Sequence, residues 1–118
     1  MIETGLSPMT KFLLLAFLVL LLNSAYLASF ADPTVFYMGN VLLHLFLGIA
    51  LILPFLMWLR QQFRNLSVLS RIGAVFMLLG GMIGAVLIWT GTYRPYRWAL
   101  HWHIGFMTAG TVLLGLGL

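Results

Sequence analysis

The chain has 118 residues, 63% of them apolar, and its formal charges come from six Lys or Arg and two Asp or Glu. Charged residues make up 7% of it, against about a quarter in a soluble domain, so a soluble enzyme is excluded; disorder, which needs low hydrophobicity and high charge, is excluded with it. What remains is an integral membrane protein.

Met1–Thr10, with Glu3, Gly5 and Pro8, reads as a short surface segment. Lys11 opens the first uncharged stretch, which runs to Ala31. This beginning resembles a secretory signal, with Ser29 and Ala31 at a small-residue cleavage site, but it is taken here as a retained helix. Asn23 and Ser24 inside it are expected to bond neighbouring helices or their own backbone. Asp32-Pro33 breaks the chain; Asp32 suits a cap and Pro33 the first turn of the next helix. The second stretch runs from Val35 to Leu59, and Pro54 should kink it.

A polar loop follows with Arg60, Gln61, Gln62, Arg64, Asn65 and Arg71. The third stretch, Ile72–Tyr93, places Gly73, Gly80, Gly84 and Gly91 on one face, which would let another helix or a flat ligand approach closely. Thr92-Tyr93-Arg94-Pro95-Tyr96-Arg97 forms the last turn before the fourth stretch, Trp98–Leu118. That stretch stops with no basic or aromatic anchor, so the chain is expected to be the N-terminal part of something longer.

Helices are thus predicted at about 12–31, 35–59, 72–93 and 98–118, each long enough for one crossing at about 20 residues per crossing. The runs are continuous, not alternating as in a membrane β-barrel. The predicted fold is an all-α integral membrane four-helix up-and-down bundle, a single transmembrane domain over 1–118. Lys11, Arg60, Arg64 and Arg71 fall on one side and Arg94 and Arg97 on the other, which puts the N-terminus in the cytoplasm, in a bacterial inner membrane. The net charge of +4 sits at the ends of the stretches, a topology signal that gives no reason to expect nucleic acid.

The three histidines, His44, His101 and His103, are the only ionisable side chains inside the predicted spans apart from tyrosine. Such residues in a membrane are functional candidates by default. The second and fourth helices run the same way in an up-and-down bundle. Counted from Tyr37 and Trp98 at about 1.5 Å per residue, the histidines lie within roughly 3 to 6 Å of one depth, toward the non-cytoplasmic side. The chain has no cysteine, which excludes thiolate metal sites, iron–sulfur clusters and Cys-attached haem within it. Facing imidazoles in such a bundle suit one b-type haem with two axial histidines. Gly48 follows His44 by one turn and Gly105 follows His101 likewise, leaving bare backbone for a flat ring. Arg94 and Arg97, with Tyr93 and Tyr96, could pair with its propionates at the interface.

Leu43-His44-Leu45-Phe46-Leu47-Gly48 and Leu100-His101-Trp102-His103-Ile104-Gly105 resemble the ligand helices of four-helix bis-histidine membrane b-type cytochromes, including the haem-bearing membrane subunits of respiratory dehydrogenases. The likeness covers these two motifs and the four-span layout. It implies one haem b, lipid and membrane or periplasmic redox subunits as partners, and electron transfer between quinol or quinone and a partner redox protein. Such cytochromes often hold two haems, which this chain lacks the histidines to do.

The metal ligands are expected to be His44 and His101, with His103 as the alternative, because depth favours His103 and the glycine spacing favours His101. They stand about 200° apart on the helix, so only one can serve. The other could bond a propionate, bind a quinone headgroup or face lipid headgroups. A plainer reading makes these histidines structural hydrogen-bonding residues. A chlorophyll-type pigment, needing one histidine, is a further alternative. A three-histidine catalytic metal site lacks an acidic residue in the spans to orient it. The chain is not expected to be an enzyme by itself. The reading from a different class is a non-catalytic small membrane anchor or pigment-binding subunit of a larger complex.

Overall fold

The computed structural model describes residues 7–30, 34–91 and 94–118, and of Arg94 only the backbone. All regular structure among them is helical: α1 (Pro8–Ser29), α2 (Val35–Gln62), α3 (Val68–Thr90) and α4 (Arg97–Gly117), with one-turn 3₁₀ segments at Phe63–Asn65 and Arg94–Tyr96. Each of the four helices is long and apolar enough to cross a membrane. The all-α class and the four spans are those predicted.

The helix ends differ from the apolar boundaries because capping, not hydropathy, decides where a helix begins. α1 starts at Pro8, where Ser7 Oγ accepts from the Thr10 N–H at 3.2 Å and the proline has no N–H to leave unpaired. Lys11 therefore lies inside the helix, where its long stem can run along the apolar surface and keep the ammonium in water. Thr34 Oγ1 accepts from the Tyr37 N–H at 3.0 Å at the start of α2. Ala31, Asp32, the expected cap, and Pro33 lie outside the described residues. α2 continues past Leu59 to Gln62 and runs unbroken through Pro54, whose ring nitrogen offers no donor to the carbonyl one turn earlier.

α3 begins four residues before its apolar stretch, because Ser67 Oγ accepts from the Ser70 N–H at 3.2 Å. Arg71 is thereby drawn into the helix. Its guanidinium turns back to the carbonyls of Phe63 (3.0 Å) and Arg64 (2.9 Å) and lies 5.4 Å from the Phe63 ring centre, fastening the 3₁₀ turn. α3 ends at Thr90, short of the expected Tyr93, because Gly91 takes φ +76°, a left-handed value natural to glycine. Thr92 and Tyr93 lie outside the described residues.

The chain divides into two compact units at Trp58/Leu59. In the first, α1 and α2 meet near their connected ends. Tyr26 packs edge-on to Phe36 at 5.3 Å, and Asn23 Nδ2 donates to Asn40 Oδ1 at 2.9 Å and to the Asn40 carbonyl at 3.2 Å.

In the second unit α3 and α4 pack antiparallel and very closely. A Cβ on Gly73 would meet the Gly110 carbonyl at 2.7 Å and collide with the Leu114 backbone nitrogen. One on Gly110 would meet Met77 Cγ at 2.6 Å, and one on Gly80 would meet Met107 Sδ at 2.8 Å. Ser70 Oγ donates to the Leu114 carbonyl and Ser67 Oγ to that of Gly117, each at 2.9 Å. Lipid tails are as apolar as leucine, so close van der Waals contact and such hydrogen bonds, not apolar burial, hold membrane helices together. The predicted small-residue face is thus a helix-packing face at Gly73, Gly80 and Gly84, while Gly91 serves as the terminator.

Candidate functional site

His44 is half-buried in the first unit. Its Nδ1 lies 3.2 Å from Ser24 Oγ, and that hydroxyl lies 2.8 Å from the Leu20 carbonyl. A carbonyl can only accept, so the single serine proton goes to Leu20. The serine oxygen then accepts from His44, which puts the imidazole proton on Nδ1 and the lone pair of the neutral ring on Nε2. Ser24 does both things expected of it, bonding its own backbone and the neighbouring helix. Asn23 and Asn40 lie nearby in the chain and give α1 and α2 a second polar contact.

His103 is half-buried in the second unit. Its Nδ1 lies 2.7 Å from the Gly80 carbonyl, and the same reasoning places its proton on Nδ1 and the neutral ring's lone pair on Nε2. The ring rests against Gly84, where a Cβ would stand 2.7 Å from its Cε1 and 2.9 Å from its Nδ1. α3 therefore supplies both the acceptor and the space for this imidazole. Phe106, one turn further along α4, meets Phe76 edge-on at 5.6 Å and continues the contact.

His101 is exposed, on the side of α4 turned away from the α3 contact that His103 makes. Gly105, Thr108, Ala109 and Val112 continue from it along a shallow apolar groove that Ile104 and Leu113 complete. Among the described residues nothing lies within 4 Å of where a Cβ would stand on Gly48 or Gly105, one turn from His44 and from His101. Arg97 is exposed at the first residue of α4. The side chain of Arg94 and the whole of Tyr93 lie outside the described residues.

The chemistry on offer follows from the tautomers. Two imidazoles are anchored through Nδ1, which in a neutral ring puts the lone pair, the metal-ligating position, on Nε2. His44 belongs to the first unit, His101 and His103 to the second. Among the described residues no three His, Cys, Asp or Glu side chains gather to hold a metal ion. No protein-family model, curated protein or solved structure matches the chain.

Sequence reasoning passed over Gly80 as an acceptor and Gly84 as the seat of His103. The spacing of the α3 glycines marked the face, but which α4 side chain meets it depends on the register of two helices joined through a turn.

Proposed function

We propose that the chain is a membrane electron-transfer protein that binds one b-type haem, with His44 and His103 as axial ligands and His101 as the alternative to His103. The observation that supports this reading is the hydrogen bonding of the two imidazoles. Each gives its Nδ1 proton to a protein oxygen, Ser24 Oγ or the Gly80 carbonyl, which makes Nε2 the basic nitrogen of the neutral ring. Metal-bound histidines generally hold their other ring N–H in this way, which sets tautomer and ring orientation and raises ligand basicity. The glycine spacing leans to His101; the Gly80 bond tips the choice to His103.

A pair of histidines is the donor set that such a group takes. Bare backbone at Gly48 gives a flat ring room beside His44. Arg97, with Arg94, suits anionic propionates at the interface. Apolar helices keep water from the ligands. Bound haem supplies a one-electron couple. In this reading the site lies toward the non-cytoplasmic face of a bacterial inner membrane, with the N-terminus in the cytoplasm, and serves between quinol or quinone and a membrane or periplasmic redox subunit. The exposed His101 is the residue suited to a quinone headgroup.

A reduced-minus-oxidised absorption spectrum of purified, haem-replete protein tests this. Sharp b-type bands that vanish in His44→Ala are expected; no bands in the parent protein would overturn the reading, and unchanged bands in the variant would overturn the ligand assignment. A second reading, a non-catalytic membrane anchor or pigment-binding subunit, draws on the same Gly80–His103 bond, which by itself accounts for a histidine at that helix contact. A protein without haem bands would favour it.

A further inference from the structure

We infer that Gly84 is a positioning residue for His103: by leaving out a side chain it lets the imidazole reach the Gly80 carbonyl, and so it selects the Nδ1-protonated tautomer. This deepens the proposed haem ligation and rests on it for its functional meaning, though the tautomer itself does not.

Gly80 and Gly84 stand one helical turn apart on α3, so a ring that bonds the first carbonyl must lie across the second residue. The distances agree with this. The bond to Gly80 is 2.7 Å, short for a nitrogen donor to a neutral carbonyl. A methyl group at Gly84 would fall 2.7 Å from Cε1 and 2.9 Å from Nδ1, closer than nonbonded carbon and nitrogen tolerate. The ring must shift, and its bond to Gly80 is disturbed with it. Other glycines of α3 do different things. Gly73 admits the α4 backbone, and Gly80 admits Met107 as well as offering its carbonyl. Gly81, next in sequence, has nothing within 4 Å of its would-be Cβ. Gly84 alone among the described α3 glycines has a histidine ring as its nearest neighbour.

The role is one of positioning because Gly84 has no side chain to touch a cofactor. What it governs is the direction of the Nε2 lone pair. Lose the outer bond to a ligating histidine and metal affinity typically falls about 10- to 100-fold.

The test is nitrogen NMR of the full chain, labelled with ¹⁵N-histidine and reconstituted without haem in lipid nanodiscs at neutral pH, with His103 assigned by its loss in His103→Gln. The expected result is a His103 ring protonated at Nδ1 in the parent protein. Gly84→Ala should convert it to a mixture of tautomers, while Gly81→Ala leaves it unchanged. A parent ring protonated at Nε2 would overturn the inference whether or not the variant folds, and so would a folded Gly84→Ala protein with the parent tautomer. Haem titration of the same samples then separates the two proposals. A tautomer change in protein that takes up no haem upholds the seat and defeats haem ligation; haem uptake that Gly84→Ala leaves untouched, with the tautomer also untouched, does the reverse.

Discussion

His103 donates its Nδ1 proton to the Gly80 carbonyl, 2.7 Å away on the neighbouring helix. The two residues lie 23 positions apart in the chain, yet the bond fixes an imidazole tautomer and ties α4 to α3 at one point. It also separates two histidines that look alike in sequence. His103→Ala should therefore abolish the b-type absorption bands, while His101→Ala keeps them. The check is haem titration followed by absorption at the α-band. Bands lost in His101→Ala and kept in His103→Ala would reverse the assignment.

The anchor of His44 makes a parallel prediction. Ser24→Ala removes the oxygen that accepts from Nδ1 and leaves the ring N–H without that partner. Haem affinity should fall by about 10- to 100-fold through the lost outer bond. Ser24→Thr, which keeps the hydroxyl, should hold most of the affinity. Haem titration of the three proteins side by side checks it; equal losses in both variants would point to packing and not to the hydroxyl.

The α3–α4 contact predicts a graded glycine series. At Gly73 the atoms that a methyl would strike are backbone, the Gly110 carbonyl and the Leu114 nitrogen, which cannot swing aside. Gly73→Ala should cost about 1 to 3 kcal/mol as overpacking does. At Gly80 the obstacle is the flexible Met107 side chain, so Gly80→Ala should cost less. Gly115→Ala, with nothing within 4 Å, should be close to neutral. Equilibrium unfolding in mixed detergent micelles gives the order, and a Gly115→Ala loss as large as that of Gly73→Ala would contradict it.

The helices were legible because continuous apolar runs report directly on a bilayer crossing. Their ends were less so. Ser7 and Ser67 cap α1 and α3 beyond Lys11 and Arg71, and a boundary drawn at the last charge misses a turn that a long basic side chain can share. The bare backbone at Gly48 and Gly105 could be read from spacing, since one turn is a local property. The partners of His44 and His103 could not. Ser24 and Gly80 reach them across helices, and a backbone carbonyl carries no signature in sequence.

The Asn23–Asn40 pair predicts that two substitutions at one position differ in size. Asn23 is 7% exposed, and its Oδ1 is buried without a hydrogen-bond partner among the described residues, although its amide nitrogen is well used. Asn23→Leu removes the hydrogen bonds, worth about 0.6 kcal/mol for an average contact between membrane helices, and also removes the unpaired acceptor. The net loss should be under about 1 kcal/mol, since an unmet buried polar group itself costs on the order of 1 to 3 kcal/mol. Asn23→Asp should be much worse at neutral pH, because it replaces the donating amide with a charge facing the Asn40 oxygens. Unfolding of both variants in micelles checks this; an Asn23→Leu loss larger than that of Asn23→Asp would mean that the amide contributes more than these bonds describe.

The absence of cysteine from the chain makes the orientation directly measurable. Gln61, just before the 3₁₀ turn that Arg71 fastens, and Pro95, in the turn before α4, are both exposed. They lie at opposite ends of α3, so a spanning α3 puts them on opposite sides of the membrane. Lys11, Arg60, Arg64 and Arg71 outweigh Arg94 and Arg97, which predicts that Gln61 faces the cytoplasm. In intact cells a membrane-impermeant maleimide should label Pro95→Cys and spare Gln61→Cys until the membrane is opened. The reverse pattern would invert the topology and move the histidine level to the cytoplasmic half. Labelling of both in intact cells would mean that α3 does not span.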